Sequence, residues 1–152
     1  MIIDQPEIKV VTKGWGFEKW VTNTERYCGK LLYIIKDKKC SLHFHKMKDE
    51  TFFVQSGKII VYYNDNTEAI KNTVKNMDPN MLASCLYNGD MARWPTNTPK
   101  LEGLYKIVLK RGDNFYIPPT RVHQILALED AEIYEFSTQH FDTDSYRIIK
   151  GD

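Results

Sequence analysis

The sequence predicts an all-β fold, either a barrel or a sandwich of short strands. Runs of alternating apolar and polar residues recur at regular spacing, and Gly, Asn and Asp separate them. Aromatic residues make up 12% of the chain, with nine Tyr and seven Phe, which favours pleated sheets. No helical period of useful length occurs before residue 68. A length of 152 residues predicts one domain, 1–152.

The first part of the chain predicts six strands joined by short turns. Residues 8–13 have the pattern of an edge strand, and residues 23–26 form a turn. The turn at Asp37 and Lys38 leads into a strand that carries two histidines, and Gly57 forms a tight turn. The expected strands are 8–13, 14–23, 28–36, 40–45, 50–56 and 59–63.

Residues 65–103 form a long insertion in this strand pattern. Residues 68–77 fit a short helix or a strand, and Asp78 followed by Pro79 fits the start of another helix. Connections of this length are uncommon and often functional. One interpretation is a lid over the barrel mouth, in which Arg93 and Trp94 bind substrate. The other is a dimer arm or a surface elaboration.

Strand patterns resume after the insertion and continue almost to the end of the chain. They cover residues 104–110, 114–117, 123–128 and 131–137. The tail from residue 139 onward contains His140, which is expected to be a solvated loop residue outside any site.

Two histidines separated by one residue give the clearest chemical signal. Side chains alternate across a strand, so His43 and His45 share one face. A short connection leads to Glu50, which opens the next strand and is expected beside the histidine pair. Asp49 lies on the opposite face of that strand. Two imidazoles and a carboxylate that converge on one point predict a site for a divalent transition metal.

These residues resemble the first of two motifs of the cupin superfamily, G-x5-H-x-H-x3-4-E-x6-G. The two histidines, the glutamate and Gly57 occupy the motif positions. The leading Gly of the motif is absent, because Asp37 or Lys38 occupies that turn. The departure affects turn geometry more than chemistry.

A second segment resembles the other cupin motif, G-x5-P-x-G-x2-H-x3-N. It matches at Gly112, Pro118 and His123, whereas Thr120 replaces the motif Gly and Ala127 replaces the Asn. The resemblance implies a cupin double-stranded β-helix (jelly-roll) barrel, with the long insertion between the two motifs. It also implies one divalent metal ion (Zn, Fe, Mn or Ni). The implied ligands are His43, His45, Glu50 and His123.

The segment 15–57 is also similar to the cupin domain of phosphomannose isomerases of type II. Gly-Trp-Gly-Phe-Glu-Lys-Trp at 14–20 and Ser-Leu-His-Phe-His at 41–45 carry the similarity. Gly14 stands where those domains have Pro, and His43 stands where they often have Gln. This resemblance implies a carbohydrate substrate. Those domains end in an acidic segment followed by an aromatic residue and Arg, so Arg147 is a candidate for binding a substrate anion.

The preferred interpretation is a metal-dependent isomerase of a sugar or sugar phosphate, similar to mannose-6-phosphate isomerase. In such chemistry the metal polarises a carbonyl and a neighbouring hydroxyl, and a base moves a proton through an enediol. Lys30 and Glu135 are the candidate catalytic bases, because they interrupt otherwise apolar strands. Two alternatives remain open: an Fe(II)-dependent dioxygenase, and a non-catalytic cupin that binds a carbohydrate or metabolite.

Composition argues against several other classes of function. A net charge of +1 favours neither nucleic acid nor an acidic membrane surface as a partner. No apolar run approaches the ~20 residues that span a bilayer, and the first residues do not resemble a signal peptide. Cys28, Cys40 and Cys85 are widely spaced, which predicts buried thiols in the cytoplasm. A homodimer is expected, because such barrels commonly expose sheet surface for pairing.

Overall fold

The computed structural model describes residues 5–78 and 103–152 and confirms the all-β prediction. A 3-10 turn at Asp142–Asp144 precedes the last strand. In chain order the helix and strands are β1 (Lys9–Lys13), β2 (Gly16–Asn23), β3 (Cys28–Ile34), β4 (Leu42–Phe44), β5 (Glu50–Ser56), β6 (Lys58–Asn64), α1 (Thr67–Lys75), β7 (Tyr105–Lys110), β8 (Asn114–Ile117), β9 (Val122–Ala127), β10 (Ala131–Ser137) and β11 (Tyr146–Ile149).

The strands form two antiparallel sheets. One has the order β1-β2-β3-β10-β5-β8, and the other has the order β11-β4-β9-β6-β7. Strands distant in sequence are neighbours in both sheets, since β10 lies between β3 and β5 and β9 lies between β4 and β6. Apolar side chains from both sheets pack into one core: Trp15, Leu32, Ile34, Cys40, Phe52, Val54, Ile59, Val61, Leu109, Ile117, Ile125, Ala127, Ala131 and Ile133.

The buried face of the six-stranded sheet changes from apolar to charged toward one end of the barrel. On β10 the buried residues run from Ile133 to Glu135, and on β3 they run back from Leu32 to Lys30. Glu50 begins β5 at the same end, where it pairs with the last residue of β10. Burying an isolated charge costs several kcal/mol, so charged residues are buried together only where they are paired or functional. This end of the barrel is therefore where we place the site.

Two turns have backbone geometry that normally requires glycine. Among the described residues, only Asp37 and Thr120 are non-glycine residues with positive φ, at 66° and 72°. These are the positions at which the two cupin motifs have glycine. Aspartate tolerates this conformation, whereas a β-branched threonine is strained there. The turn geometry of the motifs is thus retained although both glycines are absent.

The start of the predicted insertion is the helix α1, which packs on the outer face of the five-stranded sheet. The Asn66 side chain caps the helix by accepting a hydrogen bond from the Ala69 N–H, at 3.1 Å. Ile70 is buried in a second apolar cluster with Leu42 and Phe44. Residues 79–102, including the predicted substrate-binding pair of Arg93 and Trp94, lie outside the described residues. No helix in the described ranges has the length and apolarity that crossing a membrane requires.

Candidate metal centre

Three histidines meet at the charged end of the barrel, on strands from the two halves of the chain. His43 on β4 is paired directly with His123 on β9, and His45 follows β4 immediately. One nitrogen from each of the three rings lies within 4.8 Å of the others, so the three residues could hold a metal ion. The alternation of side chains explains the arrangement, because Leu42 and Phe44 point into the outer cluster instead.

Backbone carbonyls fix the orientation of all three imidazole rings. The Nδ1 atoms of His43, His45 and His123 each lie 2.9 Å from a carbonyl oxygen, of Ser41, Asp144 and Arg121 respectively. A carbonyl can only accept, so each Nδ1 carries the hydrogen. Each Nε2 then has a free lone pair. Metal-binding histidines typically have this outer hydrogen bond.

Burial keeps the three rings neutral. Burial, together with the neighbouring His123, lowers the pKa of His43 to about 3. Burial likewise lowers the pKa of His45 to about 2 and that of His123 to about 4. A metal binds the neutral imidazole, so these rings need lose no proton before binding at neutral pH.

Glu50 lies beside the three histidines and supplies the strongest indication of a cation. Its Oε1 lies 3.1 Å from His123 Nε2 and 3.6 Å from His45 Nε2, yet neither carboxylate oxygen has a hydrogen-bond partner and both are buried. Adjacent ligands of a metal bound at about 2.0–2.2 Å lie about 3 Å or slightly more apart. The predicted ligand set therefore fits a divalent transition metal. Burial and the nearby Glu135 raise the pKa of Glu50 where no metal compensates its charge.

A buried ion pair lies beside the metal ligands. Lys48 Nζ is 2.8 Å from Glu135 Oε2 and 3.6 Å from Glu50 Oε2, and only 3% of its side chain is exposed. Burial opposes ionisation of Glu135, but the ammonium groups of Lys48 and Lys30 outweigh it and hold its pKa below the usual range. Glu135, one of the two predicted bases, is thus a carboxylate that contacts the Lys48 ammonium and lines the same cavity as Glu50.

Lys30, the other predicted base, faces Glu135 across the β3–β10 pair. Its ammonium lies 3.6 Å from Glu18 Oε2 and 4.1 Å from the centre of the Trp20 ring. The Trp20 indole N–H donates to the same carboxylate, at 2.8 Å. Lys30 thus takes part in an ion pair and a cation–π contact, an environment that suits it to attracting an anion.

His140 lies partly buried in the wall of the cavity rather than in a solvated loop. Its Nε2–H donates to Asp142 Oδ1 at 3.0 Å, which leaves Nδ1 free to accept from Lys48 Nζ at 3.1 Å. The ring packs edge-on against Trp20, with centroids 4.8 Å apart. The sequence predicts that residue 140 lies in a solvated tail. In the structure this part of the tail lies against Lys48 and Trp20 in the cavity wall.

The ligands lie in a cavity of about 430 Å³ between the sheets. Its wall contains both predicted bases and Arg147, whose strand position is paired with His43. Arg147 is exposed, and none of the ion pairs among the described residues includes it. Further cations in the wall are Lys9, Lys13 and Lys150. One end of the cavity therefore holds the candidate metal ligands, and its wall carries both positively and negatively charged side chains.

Three residues of the site carried no usable signal in the sequence. Lys48 was placed in a short connection, and His140 and Asp144 in an acidic tail. The positions of these residues in the site depend on contacts between the loop 46–48 and the 3-10 turn. These two segments are almost a hundred residues apart in the chain.

Sequence comparison and structural comparison give different results. No family model matches the chain, and no curated protein matches it in sequence. Solved structures do match. CapF, a capsular polysaccharide assembling protein from Staphylococcus aureus, has a TM-score of 0.61 at 15% identity, over 95% of this chain and 34% of CapF. KdgF from Halomonas sp. has a TM-score of 0.58 at 16% identity, over 91% of this chain and 90% of KdgF.

A variant of oxalate decarboxylase from Bacillus subtilis is a third match. Its TM-score is 0.61 at 14% identity, over 93% of this chain and 30% of the decarboxylase. The chain thus spans about a third of CapF and of the decarboxylase but most of KdgF. At these identities the similarity shows the fold alone.

Proposed function

From the cupin fold that this chain shares with CapF, KdgF and oxalate decarboxylase, we propose that it is a metal-dependent isomerase of a sugar or sugar phosphate. The observation that carries the proposal is the group of three neutral histidines beside Glu50, whose buried carboxylate oxygens have no hydrogen-bond partner. A buried, ionised Glu135 lies in the same cavity. The ion is Zn, Fe, Mn or Ni, since imidazole and carboxylate accept all four.

A sugar suits the size and the polarity of this cavity. A volume of about 430 Å³ lies in the range of pockets that hold small molecules, ~300–1,000 Å³. The wall offers lysines, carboxylates and an indole, so hydroxyl groups can both donate and accept hydrogen bonds. CapF assembles a capsular polysaccharide, which supports a carbohydrate as the substrate class.

Glu135 is the base in this proposal. It takes a proton from the carbon next to the substrate carbonyl and returns it to the former carbonyl carbon, while the hydroxyl proton passes to the former carbonyl oxygen. The substrate thus passes through an enediol without net oxidation. Lys48 holds the Glu135 carboxylate in place at 2.8 Å. Lys30 and Arg147 attract the negative charge of the substrate. A bound divalent ion supplies Lewis acidity that polarises the carbonyl and hydroxyl oxygens.

Solvent isotope exchange tests the reaction. The protein is incubated anaerobically in D₂O with aldoses, ketoses and their phosphates, with and without added divalent metal. We expect deuterium at the carbon next to the carbonyl, only with metal. Glu135→Gln should abolish exchange while it retains metal, and Asp49→Ala, on the other strand face, should keep both. Turnover that requires O₂ and Fe(II) would instead indicate a dioxygenase, and saturable binding without turnover a non-catalytic protein.

We further propose that the protein is a cytoplasmic homodimer. The outer face of the six-stranded sheet carries exposed apolar side chains on three of its strands, including Val10 at 57%, Tyr116 at 53% and Phe136 at 56% exposure. Such a face is suited to pairing with a second copy. Phe136→Ser should lower the molar mass measured by light scattering to that of a monomer. The free, buried thiols of Cys28 and Cys40 suit a reducing compartment.

A further inference from the structure

One buried carboxylate connects the end of the chain to the loop between the metal-binding strands. Asp144, at 3% exposure, accepts hydrogen bonds from the three successive backbone N–H groups of Lys46, Met47 and Lys48, at 2.9 to 3.2 Å. A carboxylate that accepts several N–H groups holds a loop far more tightly than neutral turns do. The conformation of the loop 46–48 therefore depends on a residue that is almost a hundred positions away in the chain.

The same residue orients a metal ligand through its main chain. The Asp144 carbonyl oxygen accepts the Nδ1–H of His45 at 2.9 Å, which aims the Nε2 lone pair of that ring at Glu50 and His123. The loop that the carboxylate holds begins directly after His45 and ends two residues before Glu50. The loop thus lies between two of the proposed metal ligands.

We propose that Asp144 is a positioning residue of the metal site. Its carboxylate fixes the loop, and its carbonyl fixes the His45 tautomer. It contacts neither metal nor substrate and acts through His45, Lys48 and Glu50. The inference rests on the proposed metal site and deepens it, because it makes the segment from the 3-10 turn onward part of the metal-binding unit.

The inference also explains why polar residues from the last part of the chain line the cavity. His140, Asp142, Ser145 and Arg147 all contribute to the wall, on either side of Asp144. Holding Asp144 in place therefore holds these side chains at the cavity opening as well. A solvated tail without such a fixed point would lose side-chain entropy each time substrate bound.

Metal affinity measured by chelator competition tests the inference. Asp144→Ala keeps the carbonyl that contacts His45 but frees the loop 46–48, so that the carbonyl is no longer held in place. We expect metal binding to weaken by up to the ~10–100-fold that loss of an outer hydrogen-bond partner typically costs. Asp144→Asn, which keeps one acceptor oxygen, should weaken binding less. Asp130→Ala is the matched control: Asp130 also accepts a backbone N–H, from Lys36 at 2.8 Å, but at the far end of β10. It should bind metal like the wild type.

A second measurement separates this inference from the metal site itself. In metal-free protein, ¹⁵N NMR of the histidine rings should show His45 protonated only at Nδ1, and a mixture of tautomers in Asp144→Ala and, to a smaller degree, in Asp144→Asn. Wild-type metal affinity in folded Asp144 variants would overturn the inference and leave the metal site standing. A wild-type protein that binds no metal would overturn the proposed function. An unchanged His45 tautomer in these variants would then overturn the positioning role by itself.

Discussion

Glu50 Oε1 and His123 Nε2 face each other at 3.1 Å, and both atoms are acceptors when Glu50 is ionised. The His123 hydrogen is on Nδ1, where the Arg121 carbonyl accepts it. An ionised Glu50 then places its negative charge against a lone pair, in a buried position where repulsion is weakly screened. Two acceptors at this distance are stable only with a proton or a cation between them. The arrangement is therefore unfavourable for the metal-free protein and favourable for metal binding.

Glu50→Gln should affect stability and metal binding in opposite directions. The Gln amide can donate a hydrogen bond to His123 Nε2, so metal-free protein should gain about 1 kcal/mol in unfolding free energy. Metal affinity should fall, because an amide is a weaker ligand than a carboxylate. Denaturant unfolding without metal and metal titration measure the two effects. A variant that is less stable without metal would show that Glu50 and His123 do not repel each other.

Substitution of a histidine ligand should remove the metal and leave the barrel folded. His43→Ala, His45→Ala and His123→Ala each delete one Nε2 ligand, which should cost more affinity than the ~10–100-fold effect of an outer partner. Elemental analysis of purified protein and circular dichroism check both statements. Asp49→Ala is the control, since Asp49 precedes Glu50 and points away from the cavity. Stoichiometric metal in the triple histidine variant would disprove the site.

Lys48→Met should destabilise the protein strongly at neutral pH. It leaves Glu50 and Glu135 buried without their ammonium partner, and breaking a buried pair costs about 3–5 kcal/mol. The pKa of Glu135 is held low in the folded protein, so its contribution is present at neutral pH and lost as the pH falls below the ordinary glutamate range.

Without Lys48 the folded-state pKa of Glu135 rises, so Glu135 gains a proton more readily in the folded variant. The stability difference between wild type and Lys48→Met should therefore be largest near pH 7 and smaller near pH 4, in metal-free protein. Lys58→Met is the control, since Lys58 forms an exposed pair with Glu129. An equal difference at both pH values would contradict the assigned role of Lys48.

Thr120→Gly should stabilise the protein. A non-glycine residue at a φ of 72° costs about 1–2 kcal/mol, and glycine loses about 0.5–1 kcal/mol more backbone entropy on folding. A net gain of about 0.5–1 kcal/mol in unfolding free energy is expected. Thr120→Asn should give a similar gain, whereas Thr120→Ala, which keeps the Cβ, should not. Denaturant midpoints rank the three variants, and a destabilised Thr120→Gly would contradict the strain at this turn.

The sequence was sufficient to predict the positions that alternation controls. His43, His45 and Glu50 lie on strands, where the period of two determines which side chains face inward, and the spacing to His123 follows the second motif. The prediction is ambiguous where a segment is short, as in residues 68–77, whose pattern fits either a helix or a strand. The structure shows a helix there, because Ile70 is buried against the outer face of β4.

Contacts that depend on the path of the tail were beyond sequence reasoning. Lys48 and His140 are in irregular segments, so no period specifies their direction. Their meeting at 3.1 Å depends on Asp144 holding the loop 46–48. At the two positions where the motif glycines are absent, Asp37 and Thr120 have the positive φ that is typical of glycine. The motif predicts this backbone conformation, although the residue types alone do not.

The pairing of His43 with His123 also determines when a metal can act during folding. The two strands that carry these residues are separated along the chain by β5, β6, α1, β7 and β8, so they meet only after a long loop has closed. An unfolded chain offers at most the local ligands His43, His45 and Glu50. If β4 and β9 pair after the rate-limiting step, metal leaves the refolding rate unchanged and lowers the unfolding rate in proportion to its affinity. The metal would then slow the unfolding of the finished barrel and would not nucleate its folding.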